Sequence, residues 1–298
     1  MSLIALVPAV FVFIWSTGWI MARLIAPYGE PLTFLSVRYL CAFVVAAALT
    51  LITRAKWPAS RTAIFHAMVS GVLLHAVYLG GVWIAVRMGV PAGISALVAA
   101  LQPLMTGIIA QAFGLERIRL VQGVGIFIGL LGVLAVISPK LMVASGEWAH
   151  LGPAFIINVI GMISVTLGTF YQKRFIAQGD FLGVITWQYV GAILVTLPAA
   201  YLFETMHIEW RMETWIGLAW SVLVLSIAAI LLMLLMIRRG AVSKLSALIY
   251  LIPPTAAAQA YVLFGETMTL LQVAGMAVTA FGVYLATKAP SPPKEPVS

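Results

Sequence analysis

Hydrophobic residues occur along the chain in long runs that short polar segments separate. Ten such runs lie at approximately 4–22, 32–53, 62–86, 91–113, 119–139, 150–172, 181–203, 215–237, 243–264 and 268–287. An α-helix rises about 1.5 Å per residue, so a run of about twenty residues matches the roughly 30 Å thickness of bilayer hydrocarbon. Strands of a membrane barrel are about half as long and alternate in polarity, a pattern that is not seen here. The pattern therefore predicts an all-α integral membrane protein with ten transmembrane helices.

The composition strengthens this prediction and narrows the chemistry. Of 298 residues, 63% are hydrophobic and 9% charged, whereas soluble domains carry about 25% charged residues. The one cysteine, Cys41, lies in an apolar run, so neither a disulfide framework nor a metal site is expected, and no motif for a cofactor is present. The net charge of +8 comes from basic residues that flank the runs, which argues against nucleic-acid binding.

The positions of Lys and Arg predict the orientation in the membrane. One side of the predicted topology carries twelve of them: Arg54, Lys56, Arg61, Arg117, Arg119, Lys173, Arg174, Arg238, Arg239, Lys244, Lys288 and Lys294. The other side carries four: Arg23, Arg87, Lys140 and Arg211. Because cytoplasmic loops are enriched in basic residues, both termini are predicted to be cytoplasmic.

The second half of the sequence repeats the first with a shift of about 150 residues. GVPAGISALVAALQP at 89–103 aligns with GAVSKLSALIYLIPP at 240–254, and RY at 38–39 aligns with QY at 188–189. Each copy contains five helices, and because five is odd the second copy inserts upside down. The predicted organisation is a first repeat over residues 1–139, an inverted repeat over 150–287, and a disordered cytoplasmic tail over 288–298.

Four segments of the chain resemble a known family. They are IWSTGWIMARL (14–24), PLTFLSVRYLCAF (31–43), AVRMGVPAGISALVAALQPLMTGIIAQAFGLERI (85–118) and QGVGIFIGLLGV (122–133). Together they are similar to EamA-type members of the drug/metabolite transporter superfamily, and the resemblance extends over almost the whole chain. It implies two inverted five-helix repeats around a central cavity, and export of small metabolites across the bacterial inner membrane. Within this group the chain is most similar to aromatic amino-acid exporters, from which it departs at Gln188, where the second copy usually has Arg.

Arg38 is the charged residue inside a predicted span. An ionisable side chain at this depth is unfavourable by several kcal/mol unless it faces protein or water. Arg38 either holds a carboxylate of the substrate or fixes helix 2 to backbone carbonyls or lipid headgroups, and its long stem also permits snorkelling.

Other polar and aromatic residues are candidates for lining a substrate cavity. His75 lies near the middle of its span and is the candidate proton carrier, although a packing role is an equal alternative. The other candidates are Trp15, Trp19, Tyr78, Gln102, Tyr171, Trp187 and Gln188, each of which either contacts substrate or packs between helices.

Prolines inside predicted spans mark candidate hinges. Pro103 falls within the fourth span and Pro253 and Pro254 within the ninth, where each is expected to remove an internal helical hydrogen bond.

The carboxylates are expected in or next to loops or in the tail, so no buried acid is expected to serve cationic drugs or a proton relay. The motifs of intramembrane enzymes are missing as well, so the chain is not expected to be an enzyme. We therefore expect an exporter of amino acids, aromatic and other neutral ones, that works by alternating access. The alternative is a broad-specificity drug or nucleotide-sugar transporter. The expected partners are a small-molecule substrate and the lipid bilayer, for a monomer, with a dimer left open.

Overall fold

The computed structural model describes residues 7–112, 120–142, 145–176, 180–229, 232 and 251–288. Within these residues the chain is helical, apart from loops and one isolated bridge between Gly29 and Ile208. The helices are α1 (Val7–Ile25), α2 (Pro31–Ile52), α3 (Arg61–Gly71), α4 (Tyr78–Arg87), α5 (Ala92–Ala99), α6 (Gln102–Ala112), α7 (Leu120–Met142), α8 (Ser145–Phe175), α9 (Phe181–Phe203), α10 (Met212–Ala219), α11 (Ile252–Phe264) and α12 (Leu270–Lys288). Two π-helical segments, π1 (Val72–Val77) and π2 (Trp220–Ala228), follow α3 and α10 directly.

Five helical stretches among the described residues are long and apolar enough to cross a membrane: Val7–Ile25, Pro31–Ile52, Arg61–Arg87, Leu151–Phe175 and Phe181–Phe203. Shorter apolar helices lie at Ala92–Thr106, Leu120–Val136, Met212–Ala228 and Leu270–Ala286, and each overlaps one of four further predicted spans. The ninth predicted span is described from residue 251 onward, and residues 289–298 of the predicted tail lie outside the described residues. The chain is thus an all-helical, multi-span protein.

The helix boundaries follow from local sequence. Pro31 stands in the first turn of α2, where its missing N–H has no intrahelical role. Ser60 caps α3, because its side chain accepts a hydrogen bond from the backbone N–H of Ala63 at 3.1 Å. Gly265 ends α11 with φ of +66°, a left-handed conformation that glycine adopts without strain.

Helices α2 and α9 are packed side by side and run antiparallel. At one end, here called the Glu30 end, the Glu204 carboxylate after α9 accepts hydrogen bonds from the N–H groups of Leu32 and Thr33 at 2.9 and 2.7 Å. The Glu30 carboxylate in turn accepts hydrogen bonds from the N–H groups of Thr205 and His207. Glu204 therefore caps the start of α2, and Glu30 holds the residues that follow α9.

The opposite end of this pair, the Asp180 end, is held by a related contact. Asp180 precedes α9 as Glu30 precedes α2, and the two are separated by the 150-residue shift of the repeat. The Asp180 carboxylate accepts a hydrogen bond at 2.6 Å from the backbone N–H of Lys56, which follows α2. Contacts at both ends fix the axial register of α2 against α9.

Helices α7 and α12 form a second antiparallel pair. Their contact is lined by glycines, and a Cβ added at Gly125, Gly132 or Gly282 would lie under 3.0 Å from backbone atoms of the facing helix. Small residues let helix backbones approach closely in membranes. The glycine-rich run of the first half therefore packs within the monomer.

Polar hydroxyls inside the bundle are bonded to their own helices. Thr50, Thr166, Thr186 and Thr279 each donate to the carbonyl four residues earlier, at 2.7 to 2.8 Å. These bonds satisfy hydroxyls where no water competes. Large apolar side chains cover the outside of the bundle, including Phe127, Leu194 and Val262 at 63%, 58% and 78% exposure. Such a surface suits lipid and not water.

Candidate functional site

A group of polar and aromatic side chains meets inside the bundle, where the two halves of the chain face each other. Residues from α2, π1, α9 and π2 form what we call the polar centre: Arg38, Tyr39, His75, Gln188, Tyr189 and Ser226. Arg38–Tyr39 and Gln188–Tyr189 occupy equivalent positions of the sequence repeat. The centre therefore includes the two dipeptides that the predicted repeat aligns with each other.

The two π-helical segments supply His75 and Ser226 to the polar centre. A π turn closes i to i+5 hydrogen bonds, which widens the helix and redirects its side chains, and such turns are frequent at functional sites. π1 carries His75, and π2 carries Ser221 and Ser226. The 150-residue shift carries π1 onto 222–227, inside π2. The widened turn is thus a feature of the third helix in each half.

Arg38 has an incomplete set of partners. It is 6% exposed, its Nη2 donates to Ser226 Oγ at 3.4 Å, and its Nε has no hydrogen-bond partner among the described residues. Its electrostatic neighbours are Tyr39, Tyr78 and Tyr189, and the described part of the chain places no carboxylate beside it. A buried guanidinium in this state can accept a further anionic or carbonyl ligand.

Aromatic side chains of the polar centre pack on one another beside Arg38. The Tyr39 and Tyr189 rings stack with centroids 6.1 Å apart, and the His75 ring lies 5.0 Å from that of Tyr189. The Tyr39 hydroxyl donates to the backbone carbonyl of His75 at 2.9 Å, which ties α2 to π1. The polar centre thus combines one cation with an aromatic wall.

His75 and Gln188 complete the group. Nε2 of His75 is buried without a hydrogen-bond partner among the described residues, and Gln188 is the amide side chain that interacts with its ring. Gln188 is 3% exposed and donates to Ser70 Oγ at 3.0 Å and to Gln172 Oε1 at 3.4 Å. Its amide therefore connects α9 to α3 and α8, as a helix-tying residue does.

The other predicted cavity residues lie elsewhere, except Tyr78, which begins α4 beside Arg38. Trp15 packs on Phe11 in α1, and Trp19 is buried in the core with its Nε1 unpaired among the described residues. Gln102 is half-buried at the start of α6, and Trp187 is half-buried on α9. These four residues make no described contact with the polar centre.

Tyr171 belongs to a separate aromatic cluster. Its hydroxyl lies 2.6 Å from His66 Nδ1, and the Phe175 ring stacks on His66 with centroids 4.5 Å apart. Tyr171 thus lies near the end of α8, next to Lys173 and Arg174 in its last turn.

The three candidate hinge prolines lie at helix starts and not inside helices as predicted. The predicted fourth span is interrupted at Ala100–Leu101, so that Pro103 lies in the first turn of α6; its side chain is outside the described residues. Pro253 and Pro254 lie in the first turn of α11. N–H groups in a first turn have no intrahelical acceptor, so these prolines follow helix starts and remove no internal hydrogen bond.

Three members of the polar centre were not singled out from the sequence. Tyr39 and Tyr189 are the tyrosines of the aligned RY and QY dipeptides. Their alignment was the one signal in the sequence that could have singled them out. Ser226 had no signal of its own, because a lone serine in an apolar run is ordinary.

Two pockets are described, and neither borders the polar centre. One, of about 160 Å³, lies at the Glu30 end and is lined by residues that include Pro91, Ala257 and Glu266. The other, of about 660 Å³, is an apolar groove along α8 from Gly152 to Ile163. Neither corresponds to the central cavity expected from the resemblance.

A multi-span helical bundle with a polar centre between duplicated halves is the architecture of a small-molecule carrier of the membrane. Sequence comparison identifies the family: the model of the EamA-like transporter family matches residues 2–138 and again 152–288. The chain belongs to the EamA-like transporter family.

Individual relatives agree with this membership. The chain is 28% identical over 275 residues to the "Uncharacterized inner membrane transporter YedA" of Escherichia coli strain K12, covering 92% of this chain and 87% of the relative. It is 23% identical over 283 residues to a "Probable amino-acid metabolite efflux pump" of Salmonella typhimurium, covering 92% and 91%. A crystal structure at 17% identity has the same fold, with a TM-score of 0.65 over 97% of both chains. The protein is therefore a multi-span member of a membrane transporter family.

Proposed function

We propose that the protein exports small metabolites, chiefly amino acids with aromatic and other neutral side chains, by alternating access. The observation that carries this proposal is the buried, incompletely bonded Arg38 beside Tyr39, Tyr78 and Tyr189. An amino acid offers a carboxylate for the guanidinium and a side chain for the rings. The name of the Salmonella relative supports the same substrate class.

Inverted repeats supply the proposed mechanism. The equivalent helices α2 and α9 run antiparallel, as do α7 and α12, and this is what inversion of the second copy requires. The two matches to the family model are offset by 150 residues, which supports the same duplication. Rocking of one half against the other would then expose the polar centre to either side of the membrane.

We place the hinges at two helix starts. The break between α5 and α6 is followed by Pro103, and the start of α11 is followed by Pro253 and Pro254, at matching positions of the repeat. A proline in a first turn stiffens the helix that follows. Bending is therefore expected at Ala100–Leu101 and near Leu251.

The orientation and coupling follow from charge. The basic residues predict cytoplasmic termini and place the Glu30 end in the periplasm. With no carboxylate at the polar centre in the described part of the chain, we propose facilitated movement down a gradient by a monomer. A broad drug or nucleotide-sugar transporter is the second candidate, but a cationic drug would meet the Arg38 charge.

Efflux from proteoliposomes tests the proposal. Vesicles with purified protein are loaded with labelled phenylalanine, leucine or a cationic dye, and release is followed with and without a pH gradient. We expect release of the amino acids, little effect of the gradient, and activity retained in His75→Ala. Release of the dye alone would contradict the substrate class. Transport that stops on collapse of the pH gradient and is also lost in His75→Ala would contradict facilitated movement.

A further inference from the structure

The polar centre has a fixed partner for only one end of an amino acid. Arg38 offers a cation to the carboxylate, but the described residues place no carboxylate where an ammonium group would bind. The nearby acceptors are the hydroxyls of Ser221 and Ser226, the Gln188 amide and the tyrosines, all neutral at physiological pH. The charge of the centre is thus positive and unbalanced.

The free edge of the guanidinium is the second observation. Nε of Arg38 is unpaired among the described residues, and Nη2, which lies on the same edge, is held only by the 3.4 Å contact to Ser226. An edge with two N–H groups binds both oxygens of one carboxylate through parallel hydrogen bonds. Ser226 donates its own proton to the Ser221 carbonyl at 2.9 Å and is a neutral acceptor for Arg38, so it does not neutralise the guanidinium.

Electrostatic repulsion from Arg38 disfavours a cationic substrate. A second cation in the same buried region would interact with Arg38 at low effective dielectric, where like charges repel more strongly than in water. The aromatic faces of Tyr39 and Tyr189 attract cations, but each such contact contributes far less than a close charge–charge interaction.

We propose that the polar centre selects the carboxylate group of its substrate and has no requirement for the amino group. This inference rests on the proposed function and narrows it: aromatic and other apolar monocarboxylates without an ammonium group bind and are exported at least as well as the corresponding amino acids. Amines and amides of the same size bind more weakly, by about tenfold or more. For a monoanion, unlike a zwitterion, the inside-negative membrane potential also favours outward movement.

A matched ligand series separates the two ends of the molecule. Efflux of labelled phenylalanine from proteoliposomes is challenged with 3-phenylpropionate, phenethylamine and phenylalaninamide. We expect 3-phenylpropionate to compete at least as well as unlabelled phenylalanine, and the amine and the amide to be weaker by about tenfold or more, since a charge-assisted contact is lost. Competition by phenethylamine equal to that of 3-phenylpropionate would overturn the inference.

Arg38→Gln provides the matched variant, because the equivalent position of the second half carries Gln188 in the same buried helix pair. Arg211→Gln removes an exposed cation and serves as the control. Arg38→Gln should abolish the preference for carboxylate over amine, and Arg211→Gln should keep it; an unchanged preference in Arg38→Gln refutes the role of Arg38. If Arg38→Gln does not fold, the ligand series on the unaltered protein decides by itself.

Transport of 3-phenylpropionate gives a readout that separates this inference from the proposed function. An imposed inside-negative potential should accelerate its release and leave phenylalanine release unchanged. Release of phenylalanine without release or competition by 3-phenylpropionate would refute the carboxylate inference alone. Release of no labelled metabolite would refute the proposed function.

Discussion

The Tyr39 side chain connects helices from both halves of the chain. Tyr39 belongs to α2, yet its hydroxyl bonds to a carbonyl of π1 while its ring stacks on Tyr189 of α9. A tyrosine can make both contacts because its ring is apolar and its tip is a donor. One side chain therefore links three helical segments across the repeat.

Replacing Tyr39 tests this link at the residue scale. Tyr39→Phe keeps the ring and removes one of the donors to the His75 carbonyl, which still accepts from the backbone N–H of Tyr78. We therefore expect a loss of about 0.5–1.5 kcal/mol in the free energy of unfolding. Tyr201→Phe is the control, because Tyr201 is 77% exposed at the end of α9. Thermal unfolding in detergent measures both variants, and equal midpoints for the two would show that the bond contributes little.

Pairs of helices form the second scale, and two kinds of contact hold them. The α7/α12 pair depends on the absence of side chains, since a Cβ at Gly132 would collide with Thr279 and the Gly275 carbonyl. The α2/α9 pair depends instead on carboxylates that accept backbone hydrogen bonds at its two ends. The first kind of contact is sensitive to side-chain volume, and the second to the loss of a carboxylate.

Alanine at glycine positions tests the volume argument. Gly132→Ala must displace the facing backbone, and we expect destabilisation of about 1–3 kcal/mol. Gly18→Ala is the matched control: nothing lies within 4 Å of a Cβ there, so the higher helix propensity of alanine should leave stability unchanged or raise it. Guanidinium or thermal unfolding in detergent compares the two, and similar losses at both positions would contradict close packing at Gly132.

Acid titration tests the contacts of the Glu30 carboxylate. Burial by itself raises the pKa of Glu30, but hydrogen bonds from His207 and Thr205 and the charge of Arg87 outweigh it, so the pKa lies below its ordinary value. A carboxylate with a depressed pKa stabilises the folded state above its unfolded pKa, about 4.3, and this contribution is lost as the pH falls through the folded value.

Glu30→Gln should therefore lower the thermal midpoint at pH 7 and flatten its decline in acid. Glu213→Gln, at a carboxylate in the first turn of α10, is the comparison. An unaltered acid profile in Glu30→Gln would show that another group governs the transition.

At the scale of the whole molecule, the arrangement of the ends defines two faces. Arg23, Glu266 and the N-terminus of α5 meet at the Glu30 end, where Glu266 accepts from Arg23 Nε at 3.1 Å and from Ala92 N at 3.2 Å. Lys56 and Asp180 mark the opposite face. The proposed orientation assigns the Glu30 end to the periplasm.

Labelling from outside tests this assignment. In a Cys41→Ala background, His207→Cys and Lys56→Cys place one thiol at an exposed residue of each end. A membrane-impermeant maleimide should label His207→Cys in intact spheroplasts and Lys56→Cys only after permeabilisation. The reverse labelling pattern would contradict the predicted orientation of the protein in the membrane.

The sequence alone determined the class of fold, because twenty-residue apolar runs satisfy their backbone in a bilayer only as helices. It also pointed to the duplication and to Arg38, since a charge within an apolar run is visible in one dimension. It did not reveal that Tyr39, Tyr189 and Ser226 surround that charge, or that Tyr171 belongs to another cluster, because these contacts join residues far apart in sequence.

Only the tertiary structure decided where the helices break and which polar groups stay unpaired. Periodicity places an unbroken helix over residues 91–113 and cannot show the interruption at Ala100–Leu101, which puts Pro103 in a first turn. The π turns in 72–77 and 220–228 are equally hidden, because a continuous apolar run does not distinguish a π turn from an α-helix. The sequence thus shows which side chains are polar, whereas the packing of the helices decides which of them meet.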